Sequence, residues 1–185
     1  MKLLSEAFFV KHAKHEPKEV APGKILIVTS CTKDKVLSGI SQKQQLQPEQ
    51  LWDEGYDDRT KRNFGELEAY RMPAGQLYSG RQHLQLMQGV EALRQAFGND
   101  VVDVKIISAG FGVVDEAQLL PPYNATFADL SASKIGPIAH RLSIPETMNR
   151  IMQNDYACAF FLLGENYLVS LDLPFEQTPW FPCLF

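Results

Sequence analysis

Three short apolar runs, each ended by a polar or glycine-containing turn, dominate the pattern of this chain. They predict strands at about residues 24–29, 102–108 and 156–163. The turns that end them are Ser30–Lys35, Ser108–Gly112 and Gly164–Tyr167. Uninterrupted apolar runs of this length are typical of strands that are covered on both faces of a parallel sheet. Because open α/β sheets bind ligands at the edge where parallel strands end, the pattern predicts a ligand site where these turns meet.

Helical spacing is clearest from Arg81 to Ala96, where apolar residues recur at every third or fourth position before Gly98. A second helical region covers residues 131–154, with breaks at Gly136–Pro137 and Pro145. The resulting order of strand, helix, strand, helices and strand implies right-handed crossovers between parallel strands. It predicts an α/β fold, a three-layer domain with a mostly parallel central sheet and helices on both faces.

The domain organisation follows from composition along the chain. Residues 24–173 are predicted to form the α/β domain, after an N-terminal arm at 1–23 and before a C-terminal tail at 174–185. Residues 38–63 are polar and too long for an ordinary connection, which predicts a surface excursion, a lid or a partly disordered segment. The apolar end of the tail, Leu184–Phe185, predicts either packing back onto the body or a chain that continues in a longer protein.

Charge and cysteine content exclude several classes of protein. The formal charge at pH 7 is −4, from 18 Lys and Arg against 22 Asp and Glu, so a general nucleic-acid clamp is not expected, although a local basic patch stays open. The three cysteines are far apart, which argues against a disulfide framework, a metal site or an extracellular location. No apolar run reaches membrane-spanning length, and the N-terminus is a poor signal peptide. We expect a soluble, cytoplasmic protein without metal or cofactor.

The turn after the first strand carries the first candidate chemistry. Ser30, Lys33 and Lys35, together with backbone amides, suit a phosphate or carboxylate group. Cys31 beside these lysines is a candidate nucleophile, because neighbouring cations favour a thiolate. The alternative is that Cys31 is a small buried filler of the core.

The glycine turn supplies the second set of candidates. Gly110 and Gly112 allow the backbone to approach a ligand closely, and Ser108 can donate a hydrogen bond. The turn does not match the dinucleotide-binding or triphosphate-binding motifs, so it is also compatible with an ordinary strand-to-loop connection. Asp115 follows as a carboxylate for acid–base work, or as the cap of a helix.

The start of the long helix suits an anion, since Tyr78 and Ser79 precede Arg81 and a helix N-terminus attracts negative charge. His83 in its first turn is either a general acid or base or a structural histidine.

Two aromatic–amide pairs complete the candidates. Tyr123–Asn124 and Asn166–Tyr167 suit a nucleobase, which proteins hold by stacking and by amide hydrogen bonds, or else ordinary core packing beside a capped loop. Glu165, next to the second pair, is a second candidate carboxylate.

Four ordered motifs resemble a known family. Residues 27–35, 73–80, 107–114 and 121–124 are similar to the SCxxxK, PAxxLY, SAxxGL and PY pattern of an uncharacterised bacterial and phage family of "peroxide stress protein-like" domains. The chain also resembles the archaeosine-synthase motif in a spread-out form. The matching positions are Cys31, Lys35, Tyr78, Ser79 and His83. The resemblance implies a domain associated with modified nucleobases, or with nucleic-acid handling in stress and defence.

The sequence therefore predicts an enzyme that processes a nucleobase, nucleoside or nucleotide, by cleaving a glycosidic bond or modifying a base. Lys33 and Lys35 would hold anionic groups, and Tyr123 or Tyr167 would stack the base. The ligand is a small molecule, with DNA or RNA as a further partner. The alternatives are a nucleotide-sensing or nucleic-acid-binding module without catalysis, and a scaffold whose tail docks a protein partner or fused domain.

Overall fold

A five-stranded sheet organises the computed structural model, which describes residues 23–36, 39–52 and 65–185. The strands within these ranges are β1 (Ile25–Ser30), β2 (Met72–Pro73), β3 (Val102–Ser108), β4 (Gly112–Asp115), β5 (Leu119–Leu120), β6 (Cys158–Leu162) and β7 (Cys183–Leu184). The α-helices are α1 (Pro48–Trp52), α2 (Ala74–Leu77), α3 (Arg81–Phe97), α4 (Ala132–Arg141), α5 (Ile144–Ile151) and α6 (Glu165–Val169). Within the same ranges, three single turns of 3₁₀ helix lie at Gln42–Gln44, Glu68–Tyr70 and Asn99–Val101.

The sheet is mostly parallel, as predicted. Its strand order is β4-β3-β1-β6-β7, and β1 runs parallel to both β3 and β6. Only β4 is antiparallel to its neighbour within this sheet. Ser30 lies opposite Ile107, and Thr29 lies opposite Leu162. The three strands predicted from the apolar runs therefore end side by side at one edge.

Helices cover both faces of the sheet, which confirms the three-layer α/β prediction. The chain passes from β1 through α3 to β3 on one side, and from β3 through α4 and α5 to β6 on the other side. Because such crossovers are right-handed, connections in opposite directions place their helices on opposite faces. The central strand is buried accordingly, since Leu26 and Val28 are both fully covered.

The glycine turn opens an antiparallel hairpin between β3 and β4. Gly112 has φ +74°, a left-handed conformation that glycine adopts without strain, and it lies opposite Ser108 across the hairpin. Beyond Asp115 the predicted loop contains β5, which pairs with β2 in a separate two-stranded ribbon. The hairpin turns the chain back along the sheet, so β4 carries its later residues away from the edge where β1 and β3 end.

Residues 39–52 of the predicted excursion pack against the sheet edge. Leu46 is fully buried, its N–H donates to the Pro122 carbonyl at 3.1 Å, and the Trp52 indole N–H donates to the Ala109 carbonyl at 2.7 Å. Residues 39–52 therefore form a strap across the glycine turn. The remainder of the predicted excursion, residues 53–63 and residue 38, lies outside the described residues.

The C-terminal tail packs back onto the body. Its strand β7 pairs in parallel with β6, and Phe181 is buried. The Phe185 ring stacks on Phe161 with a centroid separation of 4.5 Å. Of the predicted N-terminal arm, only residue 23 is described. In the parts of the chain that the structure describes, no helix has the length and apolar character to cross a membrane.

Candidate functional site

The carboxyl ends of β1, β3 and β6 meet at the switch point of the sheet. The connection that begins at β1 leads to β3 on one side, and the connection that begins at β6 leads to β7 on the other side, so the crevice between β1 and β6 is where open α/β sheets hold ligands. Cys31 follows β1 directly, and its N–H donates to the Ile107 carbonyl at 2.9 Å. This bond extends the β1–β3 pairing by one residue and fixes the thiol at the crevice.

The Cys31 thiol is buried among hydrogen-bond donors, with 3% of the residue exposed. The Tyr167 hydroxyl lies 3.0 Å from its sulfur, and the Ala109 N–H donates to the same sulfur at 3.4 Å. Tyr167 comes from α6, which follows β6, and Ala109 follows β3. All three predicted strand ends thus contribute to the surroundings of one sulfur atom.

The contacts of Tyr167 connect its hydroxyl to the ionisation of Cys31. The hydroxyl oxygen accepts from the Phe127 N–H at 3.3 Å and lies 3.2 Å from Thr126 Oγ1, which itself accepts from the Ala128 N–H. For a thiolate, Thr126 donates to Tyr167 and Tyr167 donates to the sulfur. For a thiol, the sulfur donates to Tyr167 and Tyr167 donates to Thr126. Reversing two hydroxyls therefore accommodates either form, and the thiolate arrangement uses both hydroxyl protons within the cluster.

A second hydroxyl cluster lies beside the first. The Tyr123 hydroxyl is 2.8 Å from the Tyr78 hydroxyl and 2.8 Å from Ser108 Oγ. Tyr78, Tyr123 and Ser108 are all fully buried. The Tyr78 and Tyr123 rings meet edge to face, with centroids 6.5 Å apart. The cluster satisfies polar groups that would otherwise be costly to bury, and it fixes the positions of both phenols.

Lys35 is held over this cluster. Its backbone forms a β-bridge with Tyr78, and its Nζ donates to the Thr32 carbonyl at 2.9 Å and to the Ala125 carbonyl at 3.4 Å. The ammonium also lies 4.4 Å from the centre of the Tyr123 ring, within cation–π range. Burial lowers the pKa of Lys35, and the negative charges of Cys31 and Asp34 oppose that shift. The lysine is therefore held by two backbone carbonyls and by the face of the Tyr123 ring.

Burial raises the pKa of all three clustered tyrosines. For Tyr78, Tyr123 and Tyr167, the second contribution is the negative charge of Cys31, which disfavours a second anion nearby. Each hydroxyl consequently keeps its proton at physiological pH. The region around Cys31 thus holds neutral donors and a lysine that burial makes easier to deprotonate.

An exposed polar rim surrounds the buried cluster. Lys33 forms a 3.4 Å ion pair with Asp129, and both side chains are exposed. Arg81 is exposed at the first residue of α3, and Glu165 is exposed at the first residue of α6. Ser30 is half-buried at the end of β1. Arg81 and Glu165 are therefore in contact with solvent, and Lys33 is exposed within its pair with Asp129.

The two aromatic–amide pairs take structural positions. Asn166 Nδ2 donates to the Phe127 and Ala128 carbonyls, at 3.0 and 2.9 Å. Asn124 is exposed, and its N–H donates to the Leu46 carbonyl at 2.7 Å. The Tyr123 ring is fully buried, and 5% of Tyr167 is exposed. In this conformation, neither ring offers an open face on which a base could stack.

Asp115 lies away from the other candidates. It is at the far end of β4, opposite Lys105, with which it forms an ion pair. Ser108 and Gly112 lie opposite each other at the other end of the hairpin, about 10 Å away at the usual rise per residue. The hairpin therefore separates this carboxylate from Cys31.

Both turn glycines serve packing. A Cβ atom on Gly110 would lie 2.9 Å from the Tyr123 ring and 3.1 Å from Leu51, and one on Gly112 would lie 2.5 Å from the Leu142 carbonyl oxygen. These glycines therefore allow other segments of the same chain to approach the turn closely.

His83 is buried, and its ring packs against Tyr78. Its Nε2 lies 2.9 Å from the Gly75 carbonyl, and its ring meets Tyr78 edge to face at 5.4 Å. Burial lowers its pKa, partly offset by the hydrogen bond to Gly75. The neutral ring donates from Nε2, and Nδ1 has no partner among the described residues. The His83 ring therefore helps to fix the position of the Tyr78 ring by packing against it.

Sequence reasoning did not identify Thr126 and the Ala109 amide as parts of the site. Thr126 belongs to no motif. It matters because its Oγ1 lies 3.2 Å from the Tyr167 hydroxyl, although the two residues are 41 positions apart in the sequence. The only available signal was its place shortly after the Tyr123–Asn124 pair.

Comparison of the chain with models of protein families, with characterised proteins and with solved structures gives no match. Across the described ranges, His, Cys, Asp and Glu side chains form no group of three that could hold a metal ion.

Proposed function

We propose that this protein is an enzyme that processes a nucleobase, nucleoside or nucleotide at the switch-point edge, with Cys31 as its nucleophile. The observation that carries the proposal is the position of the Cys31 sulfur, 3.0 Å from the Tyr167 hydroxyl and 3.4 Å from the Ala109 N–H. Two donors aimed at one sulfur stabilise a thiolate, the reactive form of a cysteine. The switch point is also where this class of fold holds its ligands.

The surroundings of Cys31 favour thiol chemistry over carboxylate chemistry. A thiolate would add to a doubly bonded, electrophilic carbon of the base, and the displaced π-electron pair would take up a proton. Lys35, whose pKa burial lowers, is the nearby group suited to exchange that proton. Glu165 is exposed, and Asp115 is paired with Lys105 at the far end of β4. Modification of a base is therefore better supported than glycosidic cleavage assisted by a carboxylate pair.

The rim supports an anionic, nucleotide-like ligand. Lys33 and Arg81 are exposed cations beside the strand ends, where they can reach a phosphate while the reacting group approaches Cys31. The four ordered motifs that resemble the peroxide stress protein-like family support the same ligand class, since that resemblance implies work on nucleobases.

A thermal-shift screen with nucleosides, nucleotides, 7-deazaguanines and short DNA tests the ligand class. We expect a small molecule to raise the melting temperature of the wild-type protein, and the Cys31→Ala variant to retain that shift while losing turnover. Cys158→Ala is the matched control, because Cys158 begins β6 at the opposite end of the sheet from the site.

Two other outcomes would contradict the proposal. A response to DNA alone that weakens steeply with salt would identify a nucleic-acid-binding module instead. No ligand shift, together with a stable complex with another protein, would identify a scaffold.

A further inference from the structure

A cavity lies between the strap 39–52 and the segment 65–70. Its volume is about 400 Å³, within the range of small-molecule sites. Among the described residues, its wall contains buried Gln45 and Leu67, and exposed Lys43 and Glu66 at the entrance. None of the described lining residues belongs to the clusters around Cys31, so the cavity is separate from the proposed reaction site.

The buried wall holds a carboxamide that lacks a partner. Gln45 is 7% exposed, and its side chain makes no hydrogen bond within the part of the chain that the structure describes. Its backbone carbonyl accepts from Gln47 Nε2 at 3.0 Å, and the next residue, Leu46, is held by the Pro122 carbonyl. A carboxamide has both a donor and an acceptor to satisfy, and a second carboxamide satisfies both in two parallel hydrogen bonds.

Two opposite charges line the same cavity. Lys43 and Glu66 form no ion pair within the described ranges, and both are exposed to incoming molecules. Gln44, also in the wall, uses its Oε1 to accept from the Ser41 N–H at 2.9 Å, which leaves its amide donors for another group. The ammonium of Lys43 with the amide of Gln44 suits a carboxylate, and the Glu66 carboxylate suits an ammonium.

We infer that this cavity binds a small zwitterion that also carries a carboxamide. Glu66 pairs with its ammonium, Lys43 with its carboxylate, and Gln45 with its carboxamide. Free glutamine supplies the carboxamide from a side chain, and a dipeptide supplies it as the peptide bond. A nucleotide fits these walls less well, because it adds negative charge and offers Glu66 no cation. The inference does not depend on the proposed function.

Calorimetric titration of the full chain with matched probes tests the three contacts. We expect L-glutamine or alanylalanine to bind, and the tighter of the two identifies the source of the carboxamide. N-acetylglutamine lacks the ammonium, glutaminamide lacks the carboxylate, and norleucine lacks the carboxamide. Each should bind at least about tenfold more weakly than glutamine, the effect of losing one strong hydrogen-bonded partner.

Exposed variants assign the charges without disturbing the core. Lys43→Ala should weaken glutamine at least about tenfold and leave glutaminamide unchanged, since that probe has no carboxylate to lose. Glu66→Gln should weaken glutamine and leave N-acetylglutamine unchanged. Lys134→Ala, an exposed cation on α4, is the control and should change neither.

The buried contact is tested by Gln45→Leu, which should remove the preference for glutamine over norleucine. Gln88→Leu on the exposed face of α3 is its control. The inference is overturned if neither glutamine nor alanylalanine binds the wild-type protein, or if the capped probes bind as tightly as glutamine. Equal effects of Lys43→Ala and Lys134→Ala would also overturn it, whether or not Gln45→Leu folds. Cys31→Ala should leave glutamine binding unchanged, so this site and the proposed function fail separately.

Discussion

At the scale of single residues, the contacts of Cys31 differ from those of a cysteine that only fills space in the core. Cysteine is among the most buried residue types and usually fills space. Here the sulfur contacts a phenol hydroxyl and a backbone amide instead of only apolar groups. Burial, and then the charge of Cys158, raise the pKa of half-buried Cys183 to about 11.

Tyr167→Phe should slow the reaction of Cys31 with a small disulfide reagent by at least tenfold. The substitution removes one of two donors to the sulfur, and a hydrogen bond to a charged group contributes about 1.5–3 kcal/mol. The rate is read from mass spectra of the modified peptide, with Cys158 in the same sample as the reference. An unchanged Cys31 rate would show that Tyr167 does not stabilise the thiolate.

Gly112→Ala should reduce the free energy of unfolding by more than about 1 kcal/mol, because the φ of +74° is strained for alanine and the new Cβ would meet the Leu142 carbonyl oxygen at 2.5 Å. Gly89→Ala is the matched control, since it lies within α3 with open space around its Cβ position. There alanine should stabilise the protein by up to about 1 kcal/mol. Urea denaturation measures both, and equal effects would contradict the role given to Gly112.

At the scale of elements, the beginning of α3 and the strap 39–52 support the site from two sides. Buried His83 lies in the first turns of α3 and packs against Tyr78. The strap contacts the glycine turn through Trp52 and the loop after β5 through Leu46. Both elements are therefore expected to influence the whole domain when they are altered.

His83 should make the protein less stable in mild acid. Burial lowers its folded-state pKa below the ordinary value of 6.5, so the unfolded chain binds the proton more readily. The resulting stability is present above the unfolded-state pKa and is lost as the pH falls through the lower folded-state pKa. The loss is at most about 1.4 kcal/mol per pH unit.

The comparison is between the wild-type protein and His83→Gln, whose amide can still donate to Gly75. Urea denaturation between pH 7.5 and 5.5 should give a smaller loss of stability in the variant. Identical pH dependence in the two proteins would mean that His83 is not protected from protonation.

Leu46→Ala should cost about 2–5 kcal/mol, as expected for a leucine that is fully buried. Leu84→Ala on α3 is the control, because Leu84 is 48% exposed and its truncation leaves no cavity. A loss for Leu46→Ala no larger than for Leu84→Ala would mean that the strap does not pack on the body as described. The two variants are compared by chemical denaturation under one set of conditions.

At the scale of the whole molecule, the sheet topology determines where a ligand would bind. The switch point brings the buried thiol and the exposed cations of the rim to the same edge. The formal charge of −4 makes non-specific attraction to polyanions weak, so any preference for phosphate must come from local cations.

A nucleoside monophosphate should therefore raise the melting temperature more than its nucleoside does at equal concentration. Replacing Lys33 and Arg81 together by Ala should remove that difference, because the phosphate loses both charged partners. Lys134→Ala, an exposed cation on α4, should leave it intact. A difference that survives the double substitution would mean that the phosphate is held elsewhere.

The sequence by itself determined the sheet, the long helix and the edge at which polar turns gather. Apolar periodicity reports which faces are buried, so β1, β3 and α3 were predictable to within about a residue. It also selected Cys31, Tyr78 and Tyr167, because residues that follow parallel strands or begin helices must lie near a common edge.

Only the tertiary structure decided which of these residues meet. The β3–β4 hairpin carries Asp115 away from the edge, and the strap 39–52 closes over the glycine turn, by contacts that depend on register and hydrogen-bond distance. Those distances join residues as far apart as Cys31 and Tyr167, which local patterns do not encode. The direction of a hydroxyl proton also depends on its partners in space, so the arrangement of the Tyr78, Tyr123 and Ser108 hydroxyls follows from the folded chain alone.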